Sequence, residues 1–105
     1  MNDSADSTEA YDLRQYNLML KMIDLYKGGS ITLGHLVANL EALREALRAP
    51  AESALTGFDS LWGKLEDTHA VMLDEGRKEF SDFDRQLIET SLAEFESLIR
   101  RALTL

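Results

Sequence analysis

Residues 30–48 read SITLGHLVANLEALREALR, and this stretch decides the fold class. Its apolar side chains recur at intervals of three and four residues, at Leu33, Leu36, Val37, Leu40, Leu43 and Leu47. This spacing places them on one face of an α-helix, since the helix repeats every ~3.6 residues. Arg44 and Arg48 follow in the last turns, where cations interact favourably with the helix dipole. The stretch therefore predicts an amphipathic helix that begins near Ser30 or Thr32 and ends near Arg48.

Two segments of helical length flank this stretch and show the same apolar period. The first covers about residues 8–27 and stops at Gly28-Gly29, because glycine adopts the left-handed conformation that ends a helix. The next follows Pro50 and stops at Gly76, and we expect it to begin either at Pro50 or only after Gly57, which weakens the early turns.

The apolar face of this third segment contains Trp62, the single tryptophan, which we interpret as an anchor of the core. Leu73 lies beside the same face and is predicted to widen it. Both expectations follow from helical periodicity alone.

A fourth segment is preceded by Ser81 with Asp84 three residues later, which approximates a capping box and predicts a helix to the C-terminus. No stretch alternates apolar and polar residues as a strand does. We therefore predict an all-α fold, an antiparallel up-down four-helix bundle, with residues 1–8 as a flexible tail and residues 9–105 as a single domain. A dimer of two helical hairpins gives the same pattern and stays open as an alternative.

Composition narrows the function by exclusion. The 105 residues include 19 acidic and 11 basic side chains, a net charge of -8, which argues against direct nucleic-acid binding because that requires clustered Lys and Arg. Cysteine is absent, which excludes disulfides, thiolate metal sites and cysteine nucleophiles. The first residues, MNDSADSTEA, do not resemble a signal peptide, and no apolar run approaches the roughly 20 residues of a membrane span. We therefore expect a cytoplasmic protein without a membrane partner.

The sequence offers one candidate metal motif. Glu66 and His69 stand three residues apart on one helix face, the Glu-x-x-His spacing of di-iron bundles. Those sites use two such motifs, and His35 has Thr32 rather than Glu at the matching position. No serine is placed near a histidine as a nucleophilic triad requires. We expect no enzyme activity, no metal and no cofactor, with His69 at the margin of the core.

Negative charge is concentrated in the second half of the chain. Residues 52–96 contain 12 acidic and 4 basic side chains. Such a run is usually a solvated face that aids solubility, and the sharper interpretation is a surface that steers a basic protein partner. Under that interpretation the contacting residues are Asp59, Glu66, Asp67, Asp74 and Glu75.

Three stretches carry a resemblance to a known class: MIDLYKGGSITLGHLVANLEAL, SLWGKLEDTHAVMLDEG and FDRQLIETSLAEFESLI. With these, the chain resembles small helical bacterial immunity proteins that accompany polymorphic or contact-dependent inhibition toxins. The resemblance implies binding without chemistry. An acidic bundle would cover the basic cleft of a toxin, typically a nuclease, and the five carboxylates above would pair with its arginines.

Other functions stay open on the sequence alone. The first two helices are nearly neutral and rich in leucine, so the protein could be a self-associating structural adaptor that dimerises through them. A metal-binding enzyme would use Glu66 and His69, and an acidic mimic of nucleic acid would differ from an immunity protein only in its partner.

Overall fold

The computed structural model describes residues 7–76 and 79–104, which form four α-helices. These are α1 (Thr8–Lys27), α2 (Leu33–Ala46), α3 (Glu52–Glu75) and α4 (Asp82–Thr104), and this part of the chain contains no strand. Each helix packs against the next in the chain, and α4 packs against α1, so α1 faces α3 only across the diagonal. The predicted all-α four-helix bundle is confirmed.

Two contacts show that α1 and α2 run antiparallel. Near the middle of the pair, the Asn39 amide donates to the Met22 sulfur at 3.5 Å, whereas Asp12, early in α1, meets Arg48, just after α2. The N-terminal tail predicted for residues 1–8 is described only from Ser7, and α1 begins at Thr8. Residues 1–6 lie outside the described residues.

Side-chain caps mark the starts of α1, α2 and α4. The Ser7 and Thr32 hydroxyls accept hydrogen bonds from backbone N–H groups three residues later, which satisfies donors that have no partner inside a helix. Ser81 and Asp84 bond reciprocally, each side chain accepting from the other's N–H at 3.1 Å. The capping-box prediction is confirmed, with Asp reaching back in place of the longer Glu.

The core is built from the predicted apolar stripes. Its most deeply buried large side chains come from all four helices and are Met19, Ile23, Leu36, Leu40, Leu65, Phe95 and Ile99. The Phe58 and Phe95 rings meet edge to face, with centroids 4.8 Å apart and planes at 87°. Such a pair adds about 0.5–1.5 kcal/mol to the free energy gained by burial. Trp62 is half-buried against this core, and its indole N–H donates to the Val37 carbonyl at 2.9 Å.

The structure decides between the two predicted starts of α3 and corrects two further expectations. α3 begins at Glu52, close to the earlier predicted start at Pro50, and runs through Gly57, where Leu98 of α4 packs about 3.3 Å from the position that a Cβ atom would take. α2 ends at Ala46, two residues before Arg48. Leu73 does not widen the buried face, since 69% of it is exposed to solvent.

The α2–α3 loop is fastened to α1 by a buried carboxylate. Asp12 is only 6% exposed, and its two oxygens accept hydrogen bonds from the N–H groups of Arg48 at 2.8 Å and Ala49 at 2.9 Å. The Arg48 guanidinium lies 3.7 Å from the centre of the Tyr11 ring, a cation–π contact. We call this end of the bundle the closed end: the start of α1, the α2–α3 loop and the end of α4.

Candidate protein-docking site

The five acidic residues predicted from the sequence do not form one compact patch. From Asp59 to Glu75 they extend along α3 over 17 residues, which is about 24 Å of helix. Asp67, Asp74 and Glu75 are exposed, and Glu66 is half-buried. A partner that contacted all five would have to lie along most of α3.

Asp59 has a partner within the chain. Both its carboxylate oxygens accept hydrogen bonds from the Arg44 guanidinium, at 3.0 and 2.9 Å, which joins α3 to α2. This bidentate hydrogen bond is the main cause that lowers the pKa of Asp59 below its ordinary value of 3.8. Asp59 is therefore a bridge between two helices, and a partner's cation would have to compete with Arg44 for it.

His69 lies against the start of α2. Its Nε2 atom is 2.6 Å from the point where a side chain at Gly34 would begin, so the imidazole occupies the space left by the missing Cβ. Within residues 7–76 and 79–104, no three His, Asp or Glu side chains are grouped so that they could hold a metal ion. The arrangement around His69 is a close helix contact.

A large cleft opens next to this contact, at the end of the bundle opposite the closed end. It has a volume of about 1020 Å³ and lies between the α1–α2 loop and the hairpin of α3 and α4. Its lining is mostly apolar and includes Tyr26, Ile31, Met72, Phe80, Ile88 and Leu92. We call this end the open end: the α1–α2 loop, the end of α3 and the start of α4.

The cleft exists because the C-terminal end of α3 extends beyond the N-terminal end of α2. Gly34, the second residue of α2, meets His69 of α3, and α3 then continues for six more residues to Glu75, about 9 Å further. The projecting turns carry Met72 and Leu73 into a region that α2 does not cover. Met72 is still buried there, with 8% of it exposed, whereas Leu73 is 69% exposed.

Charged groups line the mouth of the cleft. Lys27 donates a hydrogen bond to Glu96 at 2.8 Å, and that contact raises the pKa of Lys27 above its ordinary 10.5. Arg85 and Glu89 also line the cleft, both exposed, and neither forms an ion pair with another described residue. The cleft thus combines an apolar floor with one cation and one anion that are open to an incoming group.

Exposed hydrophobic side chains gather at the same end. Among the described residues, the large apolar side chains that are substantially exposed are Leu18 (40%), Val71 (47%), Leu73 (69%) and Phe83 (73%). The last three lie near the α3–α4 turn. Leu73 lines the cleft. Val71 and Phe83 are not among the residues that line it.

Sequence reasoning placed the acidic surface but missed the cleft and its apolar rim. The signal that was available is the unequal length of the segments, because a helix that outlasts its neighbour leaves apolar positions uncovered. The registry between α2 and α3 that produces the overhang depends on the Gly34–His69 contact, which lies between residues far apart in the sequence.

Comparison of the chain with protein-family models, with curated proteins and with solved structures finds no match. In the part of the chain that the structure describes, no helix is both long and apolar enough to cross a lipid bilayer.

Proposed function

We propose that this protein is a non-catalytic interaction module that binds a basic protein partner through its open end. The observation that carries the proposal is the apolar cleft of about 1020 Å³ together with the adjoining Leu73 side chain, 69% exposed. Contiguous exposed apolar patches and apolar grooves in soluble proteins are characteristic of interaction sites.

Charge supports a basic partner. The sequence segments 20–36 and 66–89, which include the elements of the open end, contain nine acidic and five basic side chains. An anionic surface attracts cationic proteins over distances of about 8–10 Å and raises the rate of encounter. Apolar contacts in the cleft would then hold the complex, since burial of apolar surface contributes about 25 cal/mol per Å².

The resemblance to toxin-immunity proteins gives this proposal a more specific form. The basic partner would be a toxin, and the bundle would cover the surface that binds its RNA or DNA substrate. Co-expression with the toxin should then restore the growth of host cells, whereas the Leu73→Asp variant should protect poorly because a charge enters the apolar rim.

The general proposal is tested by capture from host extracts with the whole chain as bait. We expect the wild type to retain a basic protein that about 0.5 M NaCl releases, because screening weakens steering charges. Leu73→Asp should lose this protein, and Leu18→Asp, a matched change at an exposed leucine of α1, should keep it.

Phe83→Asp tests whether an exposed apolar side chain of the α3–α4 hairpin outside the cleft takes part in the same contact. Retention of the same proteins by Leu73→Asp would contradict the proposal, as would capture of acidic proteins only. Concentration-dependent dimerisation of the wild type that Leu18→Asp abolishes would favour the self-associating adaptor instead.

A further inference from the structure

We infer that the open-end cleft receives one amphipathic α-helix of the partner, at least three turns long and with cationic side chains along its edges. This inference rests on the proposed function and adds to it the shape and charge of the docked segment. Three features support it: the helical spacing of one wall of the cleft, the state of the backbone around the cleft, and the excess of acidic side chains in the segments that include the open end.

The wall contributed by α4 has the length and spacing that fit a helix. Its cleft-lining residues run from Arg85 through Ile88, Glu89, Leu92 and Ala93 to Glu96, at helical intervals of three and four. This stripe spans 12 residues, about 16 Å or three turns. Rows of side chains spaced in this way form grooves into which the side-chain ridges of a second helix fit.

The backbone around the cleft also favours a helix over an extended segment. The cleft walls are formed largely by helices, whose N–H and C=O groups bond internally, so they offer few partners to an extended chain. An extended segment in an apolar cleft would leave its own polar groups without hydrogen bonds, at a cost of about 1–3 kcal/mol for each group. A helix satisfies its own backbone and presents only side chains.

Occupants other than a helix fit less well. A small apolar molecule confined to the cleft would leave the exposed Leu73 rim uncovered, whereas a helix can extend from the floor over the rim. A second copy of this chain would bring together two open ends, each with an excess of acidic groups, so electrostatic repulsion opposes it.

Two charges at the mouth of the cleft give a specific test of this inference, because Arg85 and Glu89 lie one helical turn apart and have opposite charges. A cationic helix would be attracted by Glu89 and repelled by Arg85. Neutralising the two residues should therefore have opposite effects on affinity. An anionic amphiphile such as a fatty acid would show the reverse signs.

The experiment uses synthetic 14-residue peptides as probes, labelled for fluorescence anisotropy and titrated with the whole chain. One peptide has Leu at positions i, i+3, i+4, i+7 and i+11 and Lys at the others. The second replaces each Lys with Glu. The third has the Lys-peptide composition in shuffled order. We expect saturable one-to-one binding of the Lys peptide, with affinity at least about tenfold higher than for the other two, since only the first combines cationic charge with an apolar face.

Variants of the protein complete the test. Leu73→Asp should weaken binding of the Lys peptide about tenfold, and Leu18→Asp should leave it unchanged. Glu89→Gln should weaken it about two- to fivefold and Arg85→Gln should strengthen it by a similar factor, the range expected for exposed charges. Because these side chains are exposed, circular dichroism should show the same helix content in each variant.

Equal binding of the ordered and shuffled peptides would overturn the inference, as would weaker binding by Arg85→Gln. These results are distinguishable from a failure of the proposed function. If Leu73→Asp loses the native basic partner while the Lys peptide does not bind at the cleft, the result supports the proposed interaction module and contradicts the helical ligand. If the native partner binds Leu73→Asp as well as it binds the wild type, the result contradicts both proposals.

Discussion

The two ends of the bundle are built from the same four helices, but they differ in how closely their residues pack. At the closed end, the cavity among Tyr16, Leu47 and Phe58 measures about 10 Å³, whereas the cleft at the open end measures about 1020 Å³. A buried carboxylate fastens the loop at the closed end. At the open end, α3 runs past α2 and leaves apolar residues uncovered. One end is packed for stability, and the other has surface available for binding.

Charge follows the same division. Residues 7–16, 44–59 and 98–104, which build the closed end, contain five acidic and five basic side chains, whereas the segments 20–36 and 66–89, which include the open-end elements, contain nine and five. Arg44 and Asp59 form an ion pair within the closed-end segments. Half of the net charge of -8 lies in the segments that include the open end and its uncovered apolar surface, and this combination is the basis of the proposed docking of a cationic partner.

The largest expected effect is a difference in the free energy of unfolding between substitutions at two phenylalanines of α4. Phe95 is fully buried against Phe58, and Phe83 near the open end is 73% exposed. Phe95→Ala should lower the free energy of unfolding by about 3–5 kcal/mol, because it removes buried surface and leaves a cavity. Phe83→Ala should change it by less than about 0.5 kcal/mol. Urea unfolding followed by circular dichroism measures both, and equal losses would contradict the division between the ends.

The second-largest expected effect concerns the hydrogen bonds by which Asp12 holds the α2–α3 loop against α1 at the closed end. Asp12→Ala should lower the free energy of unfolding by about 2–3 kcal/mol, because the N–H groups of Arg48 and Ala49 lose a charged acceptor in a buried place. Asp24→Ala, at an exposed aspartate of the same helix, is the matched control and should be nearly neutral. Thermal and urea unfolding measure the difference, and a loss as small as that of the control would show that the loop is held by other contacts.

A smaller effect tests how the open end keeps its shape. Gly34→Ala should destabilise the protein by about 1–2 kcal/mol, because the new Cβ would stand 2.6 Å from His69 Nε2. In a His69→Ala background the same substitution should cost almost nothing, since the colliding ring is gone. The double-mutant cycle measured by urea unfolding gives the coupling directly. Additive effects would show that the two residues do not set the registry of α2 and α3.

The smallest effect concerns the exposed Arg44–Asp59 pair. Asp59→Asn should lower the melting temperature slightly at neutral pH, since exposed ion pairs contribute little. Arg44 lowers the pKa of Asp59, so the stabilisation is complete above the ordinary value of 3.8 and is lost as the pH falls through the lowered folded-state pKa. The melting temperatures of wild type and variant should therefore converge at acid pH. A difference that persisted there would assign the effect to packing instead of charge.

Sequence reasoning predicted the helices well because their signals are local. Helical period, the Ser81–Asp84 cap and the stop at Gly76, which adopts a φ of 65°, involve residues within one or two turns of each other. It was less successful at Leu73 and Gly57, whose burial depends on which neighbouring helix is present at that level. The spacing of apolar residues identifies the buried face of a helix. It does not show how far along that face the neighbouring helix extends.

The candidate site was predicted only in part for the same reason. The sequence located an acidic surface on α3, and the structure shows that Asp59 from this set is already paired with Arg44. The cleft could not be found from periodicity, because its walls come from three segments that are distant in the chain. The proposed roles of Asp67, Asp74 and Glu75 stay predictions that the capture experiment can test.

The sequence by itself determined the number of helices, their apolar faces and the net negative charge, because each depends on residue type and short-range spacing. Tertiary structure alone decided which loop is fastened and which end stays open. Those features depend on the registry between helices, and registry arises from contacts such as Asp12 with the Arg48 and Ala49 amides and His69 with Gly34. Such contacts join residues about 35 positions apart, beyond the reach of any local pattern.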